Sequence, residues 1–468
     1  MNQTHFERYL RNEKGTWREE LGIVLRMSLP AILAQLTSIA MQYIDAGMVG
    51  SLGANATAAI GLVASSTWLI GGTCIGLSNG FSVQVAQLTG ARRPDDARNV
   101  FRQSLSVLLL TGLFIAFMGI GISRSVPAWL GGSEEILADA GTYFFIYCCS
   151  IPFAIMRYLA SGMMQSSGDM KTPGLFSALV CILDVIFNMF FIFPSRSISA
   201  GGISLMIPGA GLGVAGAALG TALAEVVISL VMLYLVCFRN EKLSLKHKGS
   251  WGWRRNTLTT AAKIAIPISF DQIFMCSAYI AATRIVANLG TVAVAANSLS
   301  ITAEGLCYMP GYGIGIAATT IIGQTIGAGR KDLTRSFSRV IVLSGMAFMS
   351  LMAVVMYISA PHLFSLLTSD PGVAELSTGV LRMELVAEAF YGASICCTGV
   401  FRGAGDTLVP SLMNLFSMWG VRLVLAVFLV PGMGLYGYWL AMTIELFFRG
   451  TIFMVRLVRG RWVRKVMV

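Results

Sequence analysis

Four side chains in the first half of the chain combine residue types that could bind a small cation or carry a proton. Asp45 lies deep in the apolar stretch 29–53. Asp184 and Asn188 occur in Leu183-Asp-Val-Ile-Phe-Asn-Met-Phe-Phe191, and Thr221 follows Gly216-Ala-Ala-Leu-Gly220. An ionisable side chain inside a membrane span costs at least about 2.5–3.5 kcal/mol on insertion scales, so it marks function unless a partner explains it. Asp184 and Asn188 are four residues apart and share one helix face. Two carboxylates, an amide and a hydroxyl at one depth make either a proton site or an oxygen-ligand site for a cation such as Na+. Burial disfavours the charged carboxylate, and a second carboxylate nearby adds to that. The plainer alternatives are an interhelical hydrogen bond for Asp184 and Asn188, and a bond to its own helix for Thr221. Pro30, fifteen residues before Asp45, removes the backbone hydrogen bond to the carbonyl of Arg26 and marks a place where that helix can bend.

These residues need membrane helices to position them. Of 468 residues 55% are hydrophobic and only 12% charged, against roughly 25% charged in soluble domains. The chain reads as an all-α polytopic membrane protein. At about 20 residues per span, twelve transmembrane helices fit at 24–48, 55–84, 100–122, 137–158, 173–194, 211–237, 261–286, 292–322, 337–359, 376–398, 409–430 and 434–456. Positive charge collects in alternate loops: Arg92, Arg93, Arg98 and Arg102, then Arg157 and Lys171, then Arg239, Lys242, Lys246, Lys248, Arg254 and Arg255. Further on come Arg330, Lys331, Arg335 and Arg339, then Arg402, then Arg459, Arg461, Arg464 and Lys465. That bias predicts a multi-pass protein of the inner (plasma) membrane with both termini cytoplasmic.

The same distribution disposes of other functions. The net charge of +11 sits in loops rather than in a basic block, so nucleic acid is not a partner. The first twenty residues are polar, which predicts no cleavable signal peptide. There is no Cys-x-x-Cys; Cys148-Cys149 and Cys396-Cys397 read as small hydrophobes in helix packing. His5, His247 and His362 are expected outside the spans, and His-Glu-x-x-His, Gly-x-Ser-x-Gly and Gly-x4-Gly-Lys-Ser/Thr are all missing. Metalloprotease, serine hydrolase and ATP-driven pump are thereby set aside. The expectation is a transporter and not an enzyme, without cofactor or resident metal.

A shift of 237 residues lays the chain on itself. It aligns Pro30 with Pro267, Gln35 with Gln272, Gly53 with Gly290, Gly76 with Gly313, Gln87 with Gln324, and Gly168-Asp169 with Gly405-Asp406. After a Ser/Gly/Ile-rich insertion at about Ser195–Ala210, expected to be a loop, Gly213-x-x-Gly216 matches Gly434-x-x-Gly437. A duplication with six helices per copy gives two lobes of the same orientation, related by a pseudo-twofold axis along the membrane normal. The predicted division is an N-lobe at 1–238, a cytoplasmic linker at 239–258 read as a solvated loop, and a C-lobe at 259–468. Two such bundles enclose a central cavity that rocking would open to either side.

The copies differ where charge is buried. Asp45 falls opposite Ala282, Asp184 opposite Val421 and Asn188 opposite Leu425. The second lobe has its own acids. Asp271, next to Gln272, and Glu304 are candidates for contact with substrate or ion. Glu384 and Glu388 share a face of the tenth helix and are expected to approach the outer interface. Arg422 requires a partner, expected to be structural. Abundant Met and Phe suit an adaptable apolar cavity wall.

Taken in order, Ile44-Asp-Ala-Gly-Met-Val-Gly-Ser-Leu-Gly-Ala54, the Gln-x-x-Gly-Ala-x-Arg loops at Gln87 and Gln324, and Arg402-Gly-Ala-Gly-Asp-Thr407 resemble the multidrug and toxic compound extrusion (MATE) transporters over essentially the whole length. The likeness is to the DinF-like branch. The resemblance implies a monomeric secondary antiporter that exports small amphipathic, often cationic, organic compounds against inward H+ or Na+. It maps the coupling site onto Asp45, Asp184, Asn188 and Thr221 and the bend onto Pro30. One departure stands out: the branch's fifth helix carries Asn and then, four residues later, Asp, whereas here Asp184 precedes Asn188, which displaces the carboxylate by one turn, about 5.4 Å. A flippase for a lipid-linked substrate is the rival reading. It predicts further spans and a strongly cationic cavity, which the sequence does not offer.

Overall fold

The computed structural model describes residues 6, 9–10, 16–200, 203–246 and 249–463. Of the residues singled out above, His5, His247, Lys248, Arg464 and Lys465 lie outside the described residues. The described residues fold into twelve long helices: α1 (Trp17–Gly50), α2 (Ala54–Gly90), α3 (Pro94–Ile122), α4 (Glu134–Ser166), α5 (Lys171–Phe191), α6 (Gly213–Arg239), α7 (Arg255–Ala287), α8 (Thr291–Gly327), α9 (Lys331–Leu367), α10 (Pro371–Gly403), α11 (Leu408–Met433) and α12 (Leu435–Arg459). The first eleven are long and apolar enough to cross a membrane. The 25-residue α12 matches them in length but carries Glu445, Arg449 and Arg456. Large apolar side chains such as Phe117, Leu175 and Phe428 stand 76, 69 and 75% exposed on the outer surface. Lipid accommodates that exposure, because helices satisfy their own backbone hydrogen bonds.

Most expected spans fall inside longer helices, and three differences matter. Arg157, placed among the loop charges by a span ending at 158, sits nine residues before the end of α4 and faces inward. His362 lies within α9 rather than outside the spans. The insertion between α5 and α6 is not a loop but an antiparallel hairpin, β1 (Pro194–Ala200) with β2 (Ile203–Ala210). Its Ser and Ile content suits a strand as well as a loop, so composition alone did not separate the two.

The duplication appears in the backbone as well. Left-handed φ angles recur at matched positions: Gly53 with Gly290, Arg92 with Gly329, Gly168 with Gly405, and Gly213 with Gly434. Glycine is the residue that adopts this conformation without strain, so the same turns close both halves.

The lobes meet along α1 against α8 and α2 against α7, two pairs that the internal symmetry exchanges. Gly76 lies against Ser269, and its counterpart Gly313 lies against Ile32; a Cβ at Gly313 would stand 2.6 Å from the Ile32 backbone. Towards the end of the bundle that carries both termini, α2 crosses α8. A Cβ on Gly90 would fall 2.0 Å from the Gln324 carbonyl oxygen, and one on Gly327 would fall 1.8 Å from that of Gln87. Side chains of the same two glutamines tie the crossing down. Gln87 donates to the Gly403 carbonyl at 3.2 Å, and Gln324 to the Ser166 carbonyl at 2.9 Å.

The described part of the linker is not a free solvated loop. Leu243 is fully buried, Lys242 donates to the Ser167 carbonyl at 3.0 Å, and the Arg254 amide donates to Gln103 of α3 at 2.9 Å. The linker therefore lies on the first lobe.

Gly327→Ala is expected to lower the melting temperature in detergent, since overpacking of this kind costs about 1–3 kcal/mol. Gly305→Ala has open space within 4 Å and is the control; equal melting temperatures for the two variants would contradict a tight crossing at Gly327.

Candidate functional site

Helices α1, α5 and α6 converge in the first lobe. At the start of α5, Gly174 packs on α1 at Pro30, where a Cβ would meet the Pro30 carbonyl at 2.8 Å. Despite its proline, α1 runs unbroken for 34 residues. Between α5 and α6 the small residues of Gly216-x-x-x-Gly220 permit close approach. A Cβ at Gly216 would lie 2.3 Å from the Phe191 carbonyl oxygen, and one at Gly220 would lie 2.1 Å from Oδ1 of Asn188.

That approach seats Asn188 between two acids. Its Nδ2 donates to Oδ1 of Asp45 at 3.0 Å and to Oδ2 of Asp184 at 3.0 Å. One amide group thus spends both of its hydrogens on carboxylates from two helices, and hydrogen bonds with an ionised acceptor are the stronger kind. Asp184 and Asn188 are fully buried; Asp45 is half-buried. The carboxylates of Asp45 and Asp184 are direct neighbours, with Tyr143 close to both. Thr221 stands beside Asp184, and its hydroxyl donates to the Ala217 carbonyl at 3.2 Å.

The four residues named from the sequence are therefore gathered at one place. Oδ1 of Asp184 and Oδ1 of Asn188 are buried acceptors with no hydrogen-bond partner among the described residues. Buried acceptors of this kind are rare in native proteins. Two open oxygens beside a carboxylate pair suit a proton or a small hard cation.

The second-lobe candidates do not form one site. Asp271 accepts from Asn414 of α11 at 3.2 Å and lines a small recess with Arg402, Asp406 and Thr407. Gln272 turns to the seam and packs on Gly72 of α2. Glu304, Glu384 and Glu388 form a separate cluster within electrostatic reach of one another. Glu384 and Glu388 do not approach the outer interface: both are 0% exposed, and all four of their carboxylate oxygens lack a hydrogen-bond partner among the described residues.

Arg422 finds the partner it needed in Glu445 of α12, at 2.6 Å. Glu445 also binds Arg449 at 3.0 Å and accepts from Ser417. The geometry depends on a widened π-type segment, Phe416–Leu423, because residues five apart approach a common face only where the helix bonds i→i+5. Sequence reasoning passed over Glu445 and Arg449, and also Glu225 of α6, which is paired with Arg157 of α4. Glu225 is detectable by the rule that found Asp45: a carboxylate in an apolar run, four residues from Thr221 on one helix face.

The profile of the MatE family matches residues 30–190 and 267–428, one stretch in each lobe. The chain belongs to this family. MATE proteins are multi-pass membrane transporters rather than enzymes, which agrees with the twelve helices. A probable multidrug resistance protein NorM from Thermotoga maritima is 24% identical over 476 residues, covering 100% of this chain and 98% of the relative. Another from Idiomarina loihiensis is 27% identical over 478 residues and covers 97% of each. Among solved structures, a MATE transporter of Vibrio cholerae, VcmN, superposes with a TM-score of 0.87 at 20% identity, covering 96% of this chain and 99% of that one. A MOP superfamily transporter from Pyrococcus furiosus gives 0.86 at 20% identity, with 98% of both chains covered. These likenesses establish the two-lobed, twelve-helix MATE fold.

Gly220→Ala pushes a methyl group onto Oδ1 of Asn188 and is expected to lose as much transport as Asn188→Ala. Gly47→Ala, beside Asp45 but with nothing within 4 Å, is expected to transport normally. Full activity in Gly220→Ala would show that the amide does not have to sit where it does.

Proposed function

We propose that this MATE protein is a secondary active multidrug efflux antiporter. It exports amphipathic and cationic organic compounds in exchange for inward H+ or Na+. The observation that carries this reading is the Asp45–Asn188–Asp184 cluster, with its two open oxygens, held between helices of a single lobe. The names of the relatives, multidrug resistance proteins, support the substrate class.

In this mechanism the N-lobe (1–238) and the C-lobe (259–468), joined by the linker 239–258, rock against each other in the plasma membrane, with both termini in the cytoplasm. Occupation of the cluster by H+ or Na+ removes negative charge from the junction of α1 with α5, and Pro30 lets α1 respond. Thr221 lines the cluster on the α6 side. In the second lobe, Glu304, Glu384, Glu388 and Glu445 set four carboxylates against two guanidinium groups, Arg422 and Arg449. The carboxyl oxygens of Glu384 and Glu388 have no protein partner among the described residues, so they are acceptors that an organic cation can engage when the lobes part. Asp271 and Gln272 border the same lobe. No cofactor takes part, and a monomer contains the whole site.

The test is uptake of an organic cation into proteoliposomes under separately imposed pH and sodium gradients; failure of both gradients to drive it would refute antiport. Asp45→Asn is expected to abolish gradient-driven export while the protein is still made and inserted, and retained export would remove Asp45 from the coupling role. Pro30→Ala is expected to slow turnover and leave equilibrium substrate affinity unchanged; a variant that binds more weakly but cycles at the normal rate would assign Pro30 to binding instead.

A further inference from the structure

The cluster at Asp45 and Asp184 must exchange its ion with both sides of the membrane, and the first lobe contains a second feature suited to one of those exchanges. Beside Thr221 an internal cavity of about 80 Å3 extends between α2, α4 and α6, lined by Tyr143, Tyr147, Ser150, Tyr158, Thr221 and Glu225. A water molecule needs roughly 10–15 Å3 of such space and two to four polar partners. The cavity therefore has room for several waters, with hydroxyl groups along its wall. At its far end, one helical turn nearer the terminus side, Glu225 accepts from Arg157. Both side chains are largely buried, 14 and 16% exposed. The Arg157 guanidinium also lies over the Tyr158 ring, 4.5 Å from its centroid.

The groups facing Glu225 come from every neighbouring helix. They are Arg157, Tyr147 and Tyr158 from α4, Cys74 from α2 and Asp184 from α5. A packing bolt between α4 and α6 would not require a hydroxyl-lined cavity running from its carboxylate to Thr221, which stands beside Asp184.

We propose that Glu225 is a second proton-carrying station, linked to Asp184 through the Thr221-lined cavity and held ready by Arg157. The step moves one proton. The Asp184 carboxyl gives H+ to the cavity waters, and the Glu225 carboxylate takes H+ from their other end, so one carboxylate is regained as the other is neutralised. Arg157 holds the Glu225 carboxylate in place through their ion pair, and that hold weakens once the carboxylate has taken the proton. This inference rests on the reading of Asp45 and Asp184 as the coupling pair.

The experiment uses the full chain in proteoliposomes, with ethidium as the transported cation and its equilibrium binding measured in parallel. Glu225→Gln is compared with the double variant Glu225→Gln/Arg157→Met, which leaves no buried charge unpaired, and with Asp45→Asn. Both Glu225 variants are expected to lose pH-gradient-driven turnover by about 100-fold, the lower end of what a positioned proton-transfer group supplies. They keep ethidium affinity and lose the dependence of turnover on pH, while Glu225→Asp recovers part of the rate. Wild-type turnover with an unchanged pH profile in the double variant overturns the proposal, and so does loss of ethidium affinity together with turnover, because either makes the pair a structural bolt. If Asp45→Asn is inactive while the Glu225 variants are normal, the relay alone fails. If Asp45→Asn exports normally, the coupling-pair reading fails and the relay with it.

Discussion

The first lobe depends on one amide group held between two carboxylates. Asn188 donates to Asp45 across the α1–α5 interface and to Asp184 on its own helix. In hydrocarbon, a carboxylate without such donors would be expelled or neutralised. The surrounding packing serves this geometry. Gly220 has no Cβ to push the amide away, and Gly216 lets α6 approach far enough for Gly220 to matter. A side-chain bond between helices is also an adjustable one. Its strength changes with the charge on either acid, whereas the apolar contacts around it do not respond.

Elsewhere the two lobes solve the problem of buried charge differently. In the second lobe Glu445 is saturated by Arg422, Arg449 and Ser417. A buried ion pair of this kind contributes little net stability but is destabilising to break, which suits a fixed frame. Glu384 and Glu388 nearby have no such saturation. One lobe thus pairs Arg422 and Arg449 with Glu445 and leaves Glu384 and Glu388 open, and the other lobe joins its central acids through a neutral amide. The scaffold is duplicated, but the electrostatics are not.

Much of this was legible in the sequence because the physical rules behind it are local or periodic. Asp45 violates the apolarity of its span, and Asp184 and Asn188 are one turn apart. The 237-residue register put glycines opposite glycines, and the backbone repeats the same left-handed turns. What escaped depended on helix ends or on distant pairing. Arg157 read as a loop charge because a span ending at 158 suffices to cross the bilayer, yet α4 continues to Ser166 and carries the arginine inside. Glu445 could not be matched to Arg422, since which residue of a following helix faces a given arginine is set by packing and here by a π-type widening. The hairpin was hidden by a composition that serves loop and strand alike.

That hairpin bears on how the first lobe can deform. Beyond its own ladder it continues into the helix ends: the Leu212 amide donates to the Phe191 carbonyl at 2.8 Å, and the Gly211 amide donates to the Phe193 carbonyl at 3.0 Å. In the second lobe the chain passes from α11 to α12 through Gly434 alone, with no hairpin between them. The strands therefore splint α5 to α6 like two fingers taped together, and sliding of one past the other would tear backbone bonds. Asp184, Asn188, Thr221 and Glu225 then travel as a single block. The compliant member left to yield against that block is α1, whose grip on it includes the Asn188–Asp45 hydrogen bond and the contact of Gly174 with Pro30.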